Sequence, residues 1–198
     1  MQSDKNLDQL QKPLSRAWYG ATIDEFLQTP LDEVVKSLVV NSEFPVLPAQ
    51  RDAWVGSLDV LNQSLERLKG SLFLEFNIPR MGRRIDAVVI LGSVCLVVEF
   101  KVGEAEFNQK DLEQAWDYAL DLKNFHEASH TVSIVPVLVA TEANYSPPTF
   151  LSVDNDGVYR PVCVGSAELR TVIDLALQTV LGPDIDQVLW PLAPYRPT

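Results

Sequence analysis

The 198-residue chain reads as an α/β protein, a mixed sheet flanked by helices. Three observations predict this. The hydrophobic period changes from helical to alternating just after Gly70. Three strand-like runs between Leu72 and Lys101 are apolar on both faces, so they need a helical layer on each side. A helix-periodic stretch, Gln109 to Phe125, then separates them from another apolar run, Thr131 to Ala140. The resulting order is helix, three strands, helix, strand, which is an α/β core.

The first dozen residues are polar and are expected to fray. Thr22-Ile23-Asp24-Glu25 is a capping box, with Thr22 as N-cap and Glu25 reaching back to it. Short helices follow, one through Phe26 and Leu27 and one from Leu31 to Val40. Pro45 and Pro48 mark a loop before a longer helix, Ala49 to Lys69. Its Trp54, Leu58, Leu61, Leu65 and Leu68 share one face, and Gly70 is expected to close it in the left-handed conformation. Leu72, Leu74, Phe76 and Ile78 then alternate with Phe73, Glu75 and Asn77 as a strand. Pro79 to Gly82 form a turn. Arg84 to Leu91 and Val94 to Lys101 are strands joined by a tight turn at Gly92-Ser93.

In the helix from Gln109 to Phe125, Leu112, Trp116, Ala119 and Leu122 form the expected buried stripe. Pro136 lacks an N–H, so the strand from Thr131 to Ala140 should leave one ladder position unpaired or bulged. Tyr145-Ser146-Pro147-Pro148 is a loop and Asp154-Asn155-Asp156-Gly157 a turn. Val158 to Val164 reads as a strand and Glu168 to Leu181 as a helix. The proline-rich end, Trp190 to Thr198, reads as the beginning of an interdomain linker.

Composition narrows the function classes. Asp and Glu total 27 against 16 Lys and Arg, a formal net charge of -11, which argues against a basic nucleic-acid coat or a basic membrane-surface helix. With 46% hydrophobic residues the chain is too apolar to be disordered. Two cysteines, Cys95 and Cys163, cannot build a disulfide framework, and Cys95 lies in an apolar run as a small buried thiol. The polar start is not a secretory signal, and the longest uncharged apolar stretch, Ala87 to Val98, is too short to span a bilayer. The expectation is a soluble cytoplasmic protein with no membrane partner.

Three charged residues stand where strands should be apolar: Asp86 in the second strand, Glu99 and Lys101 at the end of the third. Side chains alternate, so Glu99 and Lys101 share a face and Phe100 points to the opposite layer. The Gly92-Ser93 turn can bring Asp86 and Glu99 to neighbouring rows. Two carboxylates so close in an apolar setting repel, and a divalent cation is one way to hold both ionised. In the next helix Gln114 and Tyr118 are spaced i, i+4, on one face beside the apolar stripe.

Asp86, then Glu99-Phe100-Lys101, then Gln114-x-x-x-Tyr118 on this element order resembles the PD-(D/E)XK nuclease superfamily, with the Gln-x-x-x-Tyr similar to its RecB-like branch. The resemblance covers roughly Ala49 to Ala140. Ala17-Trp18-Tyr19, the stretch from Phe76 to Asp86 and the stretch from Trp116 to His126 further resemble the N-terminal domain of predicted Schlafen-like bacterial DNA/RNA helicases. In that family a P-loop ATPase segment follows, whereas this chain has no Gly-x-x-x-x-Gly-Lys-Ser/Thr.

The resemblance implies a restriction-endonuclease-like core. It implies that Asp86 and Glu99 bind Mg²⁺ (or Mn²⁺) with the Phe100 carbonyl, and that Lys101 sits by the attacking water and the scissile phosphate. Gln114 and Tyr118 would orient the strand or the metal's waters. Ile85 stands where the motif has proline. Family members often add a glutamate from the first helix. Glu66 has that position but lies off the apolar face, so Glu75 is the preferred auxiliary acid, with an ion pair to Arg84 as its alternative.

The expected organisation is then a helical extension at 1–48, the nuclease-like core at 49–143, a strand/helix addition at 144–190 and the start of a linker at 191–198. Nucleic acid, DNA or RNA, and a following helicase or ATPase domain are the expected partners. Positive charge gathers at Arg80, Arg83, Arg84 and Lys101, where Arg83 and Arg84 are the candidates to touch phosphates. The competing function is a catalytically silent module of the same fold that docks nucleic acid or protein. His126-Glu127-Ala128-Ser129-His130 matches the zincin string, but a strand begins at Thr131 and no third histidine exists, so a metalloprotease is not expected.

Overall fold

The protein is described here by a computed structural model covering residues 16–154 and 156–198. Six strands form one open mixed sheet in chain order: β1 (Tyr19–Thr22), β2 (Ser71–Ile78), β3 (Arg83–Leu91), β4 (Val94–Lys101), β5 (Ser133–Ala140) and β6 (Val162–Val164). The pairs from β1 to β4 are antiparallel; β4–β5 and β5–β6 are parallel. The helices are α1 (Ile23–Gln28), α2 (Leu31–Asn41), α3 (Pro48–Ser64), α4 (Gln109–Phe125) and α5 (Leu169–Thr179). Side chains of α1, α2, α3 and α5 pack with one face of the sheet, and those of α4 and Trp190 with the other. The α/β architecture expected from the alternating and helical periods is therefore present. Among the described residues no helix is long and apolar enough to cross a membrane.

The fraying expected of the first dozen residues lies outside the described residues, as does Asn155 of the turn at 154–157. From residue 16 onward the expected N-terminal extension belongs to the same layers. β1 adds to the free edge of β2, and Ile23, Phe26, Val34, Val35 and Leu38 enter the α3-side core. Four residues including a glycine show no alternation, which is why β1 is not readable from sequence. The capping box forms as expected: Glu25 N–H donates to Thr22 Oγ1 (3.2 Å) and Thr22 N–H to Glu25 Oε2 (2.9 Å).

Four expectations are corrected. α3 ends at Ser64, not Lys69, because Arg170 Nη1 reaches the carbonyls of Ser64 (3.4 Å) and Glu66 (2.8 Å) as the helix ends. Arg67, with φ 64°, takes the left-handed position that Gly70 was expected to fill. Gly70 is needed for space instead, since a Cβ there would lie 2.1 Å from the Ile90 carbonyl oxygen. In α4 the buried residues are Ala115, Tyr118, Ala119, Asp121 and Leu122, while Leu112 and Trp116 are only partly covered. The two alanines let the helix lie close to the sheet, and the tyrosine turns inward with them. In β2 the alternation breaks: Leu72 and Leu74 face the α3-side core, but Phe73, Phe76 and Ile78 face the α4 side. The switch falls at Glu75, whose φ is 51°.

Pro136 stays in register with β4, opposite Val97. Its missing donor is absorbed on the other side, where the pairs Ile134–Val158 and Val137–Val162 enclose one extra residue of the partner strand. That bulge shortens β6 to three residues. Residues 191–198, expected to begin a linker, pass over the end of α4: Glu127 N–H donates to the Pro194 carbonyl, Thr198 N–H to that of Asn124, and Tyr195 Oη to Asp121 Oδ1. Beneath this strap Trp190 Nε1 donates to Ser129 Oγ (3.0 Å), which lies 2.7 Å from His126 Nδ1.

Two outcomes follow for stability. Gly70→Ala should lose about 2–3 kcal/mol in urea unfolding, because a backbone oxygen cannot yield to the new methyl. His126 is fully buried, and burial together with the Arg16 and His130 charges pushes its pKa down to about 4. Its stabilisation is complete above the unfolded value near 6.5 and is lost as pH falls toward 4. The destabilisation caused by His126→Gln, measured by thermal melts from pH 7 to 4, should therefore shrink by about 3 kcal/mol.

Candidate active site

The site lies where the ladders of β3 fail. β3 pairs with β4 as far as Ala87–Val98, so Asp86 and Glu99 would occupy the next rung. On the other side, the pairs Leu74–Ala87 and Phe76–Ile85 leave Glu75 opposite Asp86 with no ladder pair between them. Asp86 thus sits at a break in both ladders. Its Oδ2 instead accepts the N–H of Phe100 (2.8 Å), so the carboxylate satisfies a backbone donor that the sheet leaves free.

Glu99 is 4% exposed and points toward α4. Its Oε1 accepts from Lys101 Nζ (3.1 Å) and from Gln114 Nε2 (2.6 Å); its Oε2 is buried with no hydrogen-bond partner. The second Gln114 amide hydrogen goes to Tyr118 Oη (2.9 Å). Gln114 and Tyr118 therefore reach the strand carboxylate as an i, i+4 pair, although Tyr118 is buried and does not stand beside the core. Lys101 also pairs with Asp111 Oδ1 (3.2 Å), an acid in the first turn of α4.

Burial is the main cause of the raised carboxyl pKa values. It pushes Glu99 up to about 7, with Asp111 and Glu75 adding to the rise and Lys101 opposing it. Asp86 is raised by burial and then by Glu99, against the Phe100 N–H. For Lys101 burial works against the charge, but Glu99 and Asp111 outweigh it and raise its pKa. Both carboxyls are thereby held above the ordinary carboxylate range, even with the Lys101 ammonium on Glu99.

Asp86, Glu99, Phe100, Lys101 and Glu75 line a cavity of ≈ 360 Å³, walled on the other side by Leu38, Trp54 and Leu58. Phe100 turns its ring to the α3-side core, as alternation requires. Glu75 is brought to the site, but its oxygens are engaged. Oε1 accepts from Trp54 Nε1 (2.7 Å), and Oε2 lies 3.8 Å from Arg84 Nε. Glu66, the positional candidate on the first helix, is exposed beside Arg67 and does not reach the cavity.

The arginines are less available than their sequence cluster suggests. Arg84 stacks on Trp18 (4.0 Å) and faces both Glu75 and Glu43. Arg80 lies over Phe125 and pairs with Asp121. Arg83 is exposed and makes no ion pair among the described residues; its charge acts on Tyr118. Sequence reasoning did not find Asp111, Trp54 or Trp18 as partners. For Trp54 a signal existed: an indole N–H on a buried helical face needs an acceptor.

The zincin string makes no site. α4 stops at Phe125, His126 caps it, and residues 127–129 form a 3₁₀ turn, so the two histidines do not share a helical face. Among the described residues no cluster of three or more His, Cys, Asp or Glu side chains forms a metal cage. Compared with protein-family models, curated proteins and solved structures, the chain has no match.

Proposed function

We propose that the chain is a metal-dependent nuclease-like domain that hydrolyses phosphodiester bonds in DNA or RNA, working beside a helicase or ATPase domain that presents the strand. The observation that carries this is the buried, unpartnered Oε2 of Glu99, a residue one open rung from Asp86 that lines the same cavity as Asp86 and Lys101. The order α3-β2-β3-β4-α4-β5, an antiparallel meander followed by a helix and a parallel strand, supports a restriction-endonuclease-like topology.

Hard oxygen donors with an unused buried lone pair suit Mg²⁺ or Mn²⁺, which bind through one or two carboxylates and keep several waters. Asp86 and Glu99, with the Phe100 carbonyl, would hold the ion. When bound, it supplies Lewis-acid polarisation of the phosphate and lowers the pKa of water. The chain's own groups do the rest. Lys101 places an ammonium where negative charge grows in the transition state, and Asp111 limits where it can swing. Gln114 fixes the Glu99 carboxylate, and Tyr118 fixes Gln114. Glu75, engaged by Trp54 and Arg84, contributes negative field to the site. A net charge of -11 leaves little long-range pull on phosphates, which is why a neighbouring domain would deliver the substrate. The free thiols Cys95 and Cys163 accord with a reducing cytoplasm.

Cleavage of single- and double-stranded DNA and RNA should appear with Mg²⁺ or Mn²⁺ and vanish with EDTA. Asp86→Ala and Lys101→Ala should each lower the rate at least 100-fold. No metal-dependent product on any substrate would point to a silent docking module, and activity that survives both variants would overturn the assignment of the chemistry to Asp86, Glu99 and Lys101. Without any substrate, Mn²⁺ should raise the melting temperature by about 2–4 °C per kcal/mol of binding, and Asp86→Asn should abolish the rise. Gln114→Ala should lower the cleavage rate about 10-fold and leave the fold intact, since the amide positions Glu99.

A further inference from the structure

Lys101 ends β4, and two backbone donors hold its carbonyl: Thr141 N–H (3.1 Å) and Glu104 N–H (3.3 Å). Its backbone is therefore fixed, while its side chain is shared between two acids. Nζ lies 3.1 Å from Glu99 Oε1 and 3.2 Å from Asp111 Oδ1. Asp111 makes no other ion pair among the described residues. It is the third residue of α4, whose N-cap Asn108 makes no side-chain cap bond, so the helix end favours a carboxylate there. Gln114, three residues on and on the same side of the helix, donates to the same Glu99 Oε1 (2.6 Å). One stretch of α4 thus holds Glu99 through Gln114 and Lys101 through Asp111.

The charges balance in two ways. Without a metal ion, the Lys101 ammonium bridges Glu99 and Asp111. A divalent cation on Asp86 and Glu99 offsets both of those carboxylates, and an ammonium still lying on Glu99 would repel it at close range in a partly buried site. Drawn to Asp111 alone, the ammonium is paired again and the cation keeps both of its acids. The movement is small, because Nζ already touches Asp111 and has only to release Glu99. Gln114 holds the freed Glu99 oxygen in place.

We infer that Asp111 is a positioning residue that takes Lys101 off Glu99 when a divalent cation binds, so that cation and ammonium share the cavity without competing for one carboxylate. This rests on the nuclease reading of the site and names the group that governs its loading.

The test is titration of Mn²⁺ into the intact chain, read by isothermal calorimetry with no substrate present. Lys101→Met should bind Mn²⁺ at least as tightly as the parent. Asp111→Asn should weaken binding about 10-fold, because Lys101 is left with Glu99 alone, and Asp111→Glu should stay within about 3-fold of the parent. In the Lys101→Met background Asp111→Asn should cost less than about 3-fold. Circular dichroism checks that each variant is folded, and Asp111→Ser replaces Asp111→Asn if the latter is not. An equal loss in both backgrounds makes Asp111 a distant negative charge and overturns the exchange. So does unchanged affinity in Asp111→Asn, or weaker binding in Lys101→Met. If Mn²⁺ still binds in those cases and Asp86→Asn abolishes it, the nuclease reading stands without the exchange. If neither the parent nor Lys101→Met binds Mn²⁺, both fall.

Discussion

Between Asp86 and Phe100 a side-chain carboxylate stands where a backbone carbonyl stands elsewhere in the sheet. A buried N–H must find an acceptor, so the open rung holds the Asp86 carboxylate in place, and the carboxylate in turn holds the rung open. Everything else at this end of the sheet follows from that bond. It fixes one acid beside a second, Glu99, in surroundings that disfavour both charges. Lys101 and Gln114 converge on the one Glu99 oxygen, leaving the other without a partner. Glu75 adopts a left-handed backbone, worth roughly 1–2 kcal/mol of strain, and swaps the faces of β2 at the same level. Three irregularities in three adjacent strands thus coincide at one cavity.

The charge of the molecule is spent unevenly. Arg80 and Arg84 look from the sequence like a basic tip, yet each lies over an aromatic ring and pairs with a carboxylate. Arg84 is partly buried between Trp18, Glu75 and Glu43, where it ties β1 and the α2–α3 loop to the site. A guanidinium so placed braces a wall and offers little to a phosphate. Of the three turn arginines only Arg83 is exposed and without an ion pair among the described residues.

The opposite end of α4 is stabilised by different means. Residues 191–198 run back over it, and Trp190, Ser129 and the buried His126 join the strap to the helix end. Tyr195 and Arg80 share the buried Asp121 carboxylate. The prolines that suggest an open linker also suit a strap, because each removes a donor and a degree of freedom from a segment in which the N–H groups of Leu192, Ala193, Arg196 and Thr198 are paired.

By itself the sequence determined most of the elements, though not β1, and picked out the charged residues of the candidate site. Hydrophobic period is a local property, so the limits of β4 and α4 match those of the structure, and β3 begins one residue earlier than expected. Asp86, Glu99 and Lys101 were legible because ionisable groups inside apolar strands are costly without a purpose, and Gln114 and Tyr118 because four residues make one helical turn. Only the tertiary structure decided what depends on distant segments meeting. It ended α3 early through Arg170, 106 residues away from Ser64. It gave Glu75 to Trp54 and Lys101 to Asp111, and it made Gly70 a matter of room, not of φ. Those outcomes turn on which atoms come within a few ångströms, and hydrophobic periodicity carries no such distances.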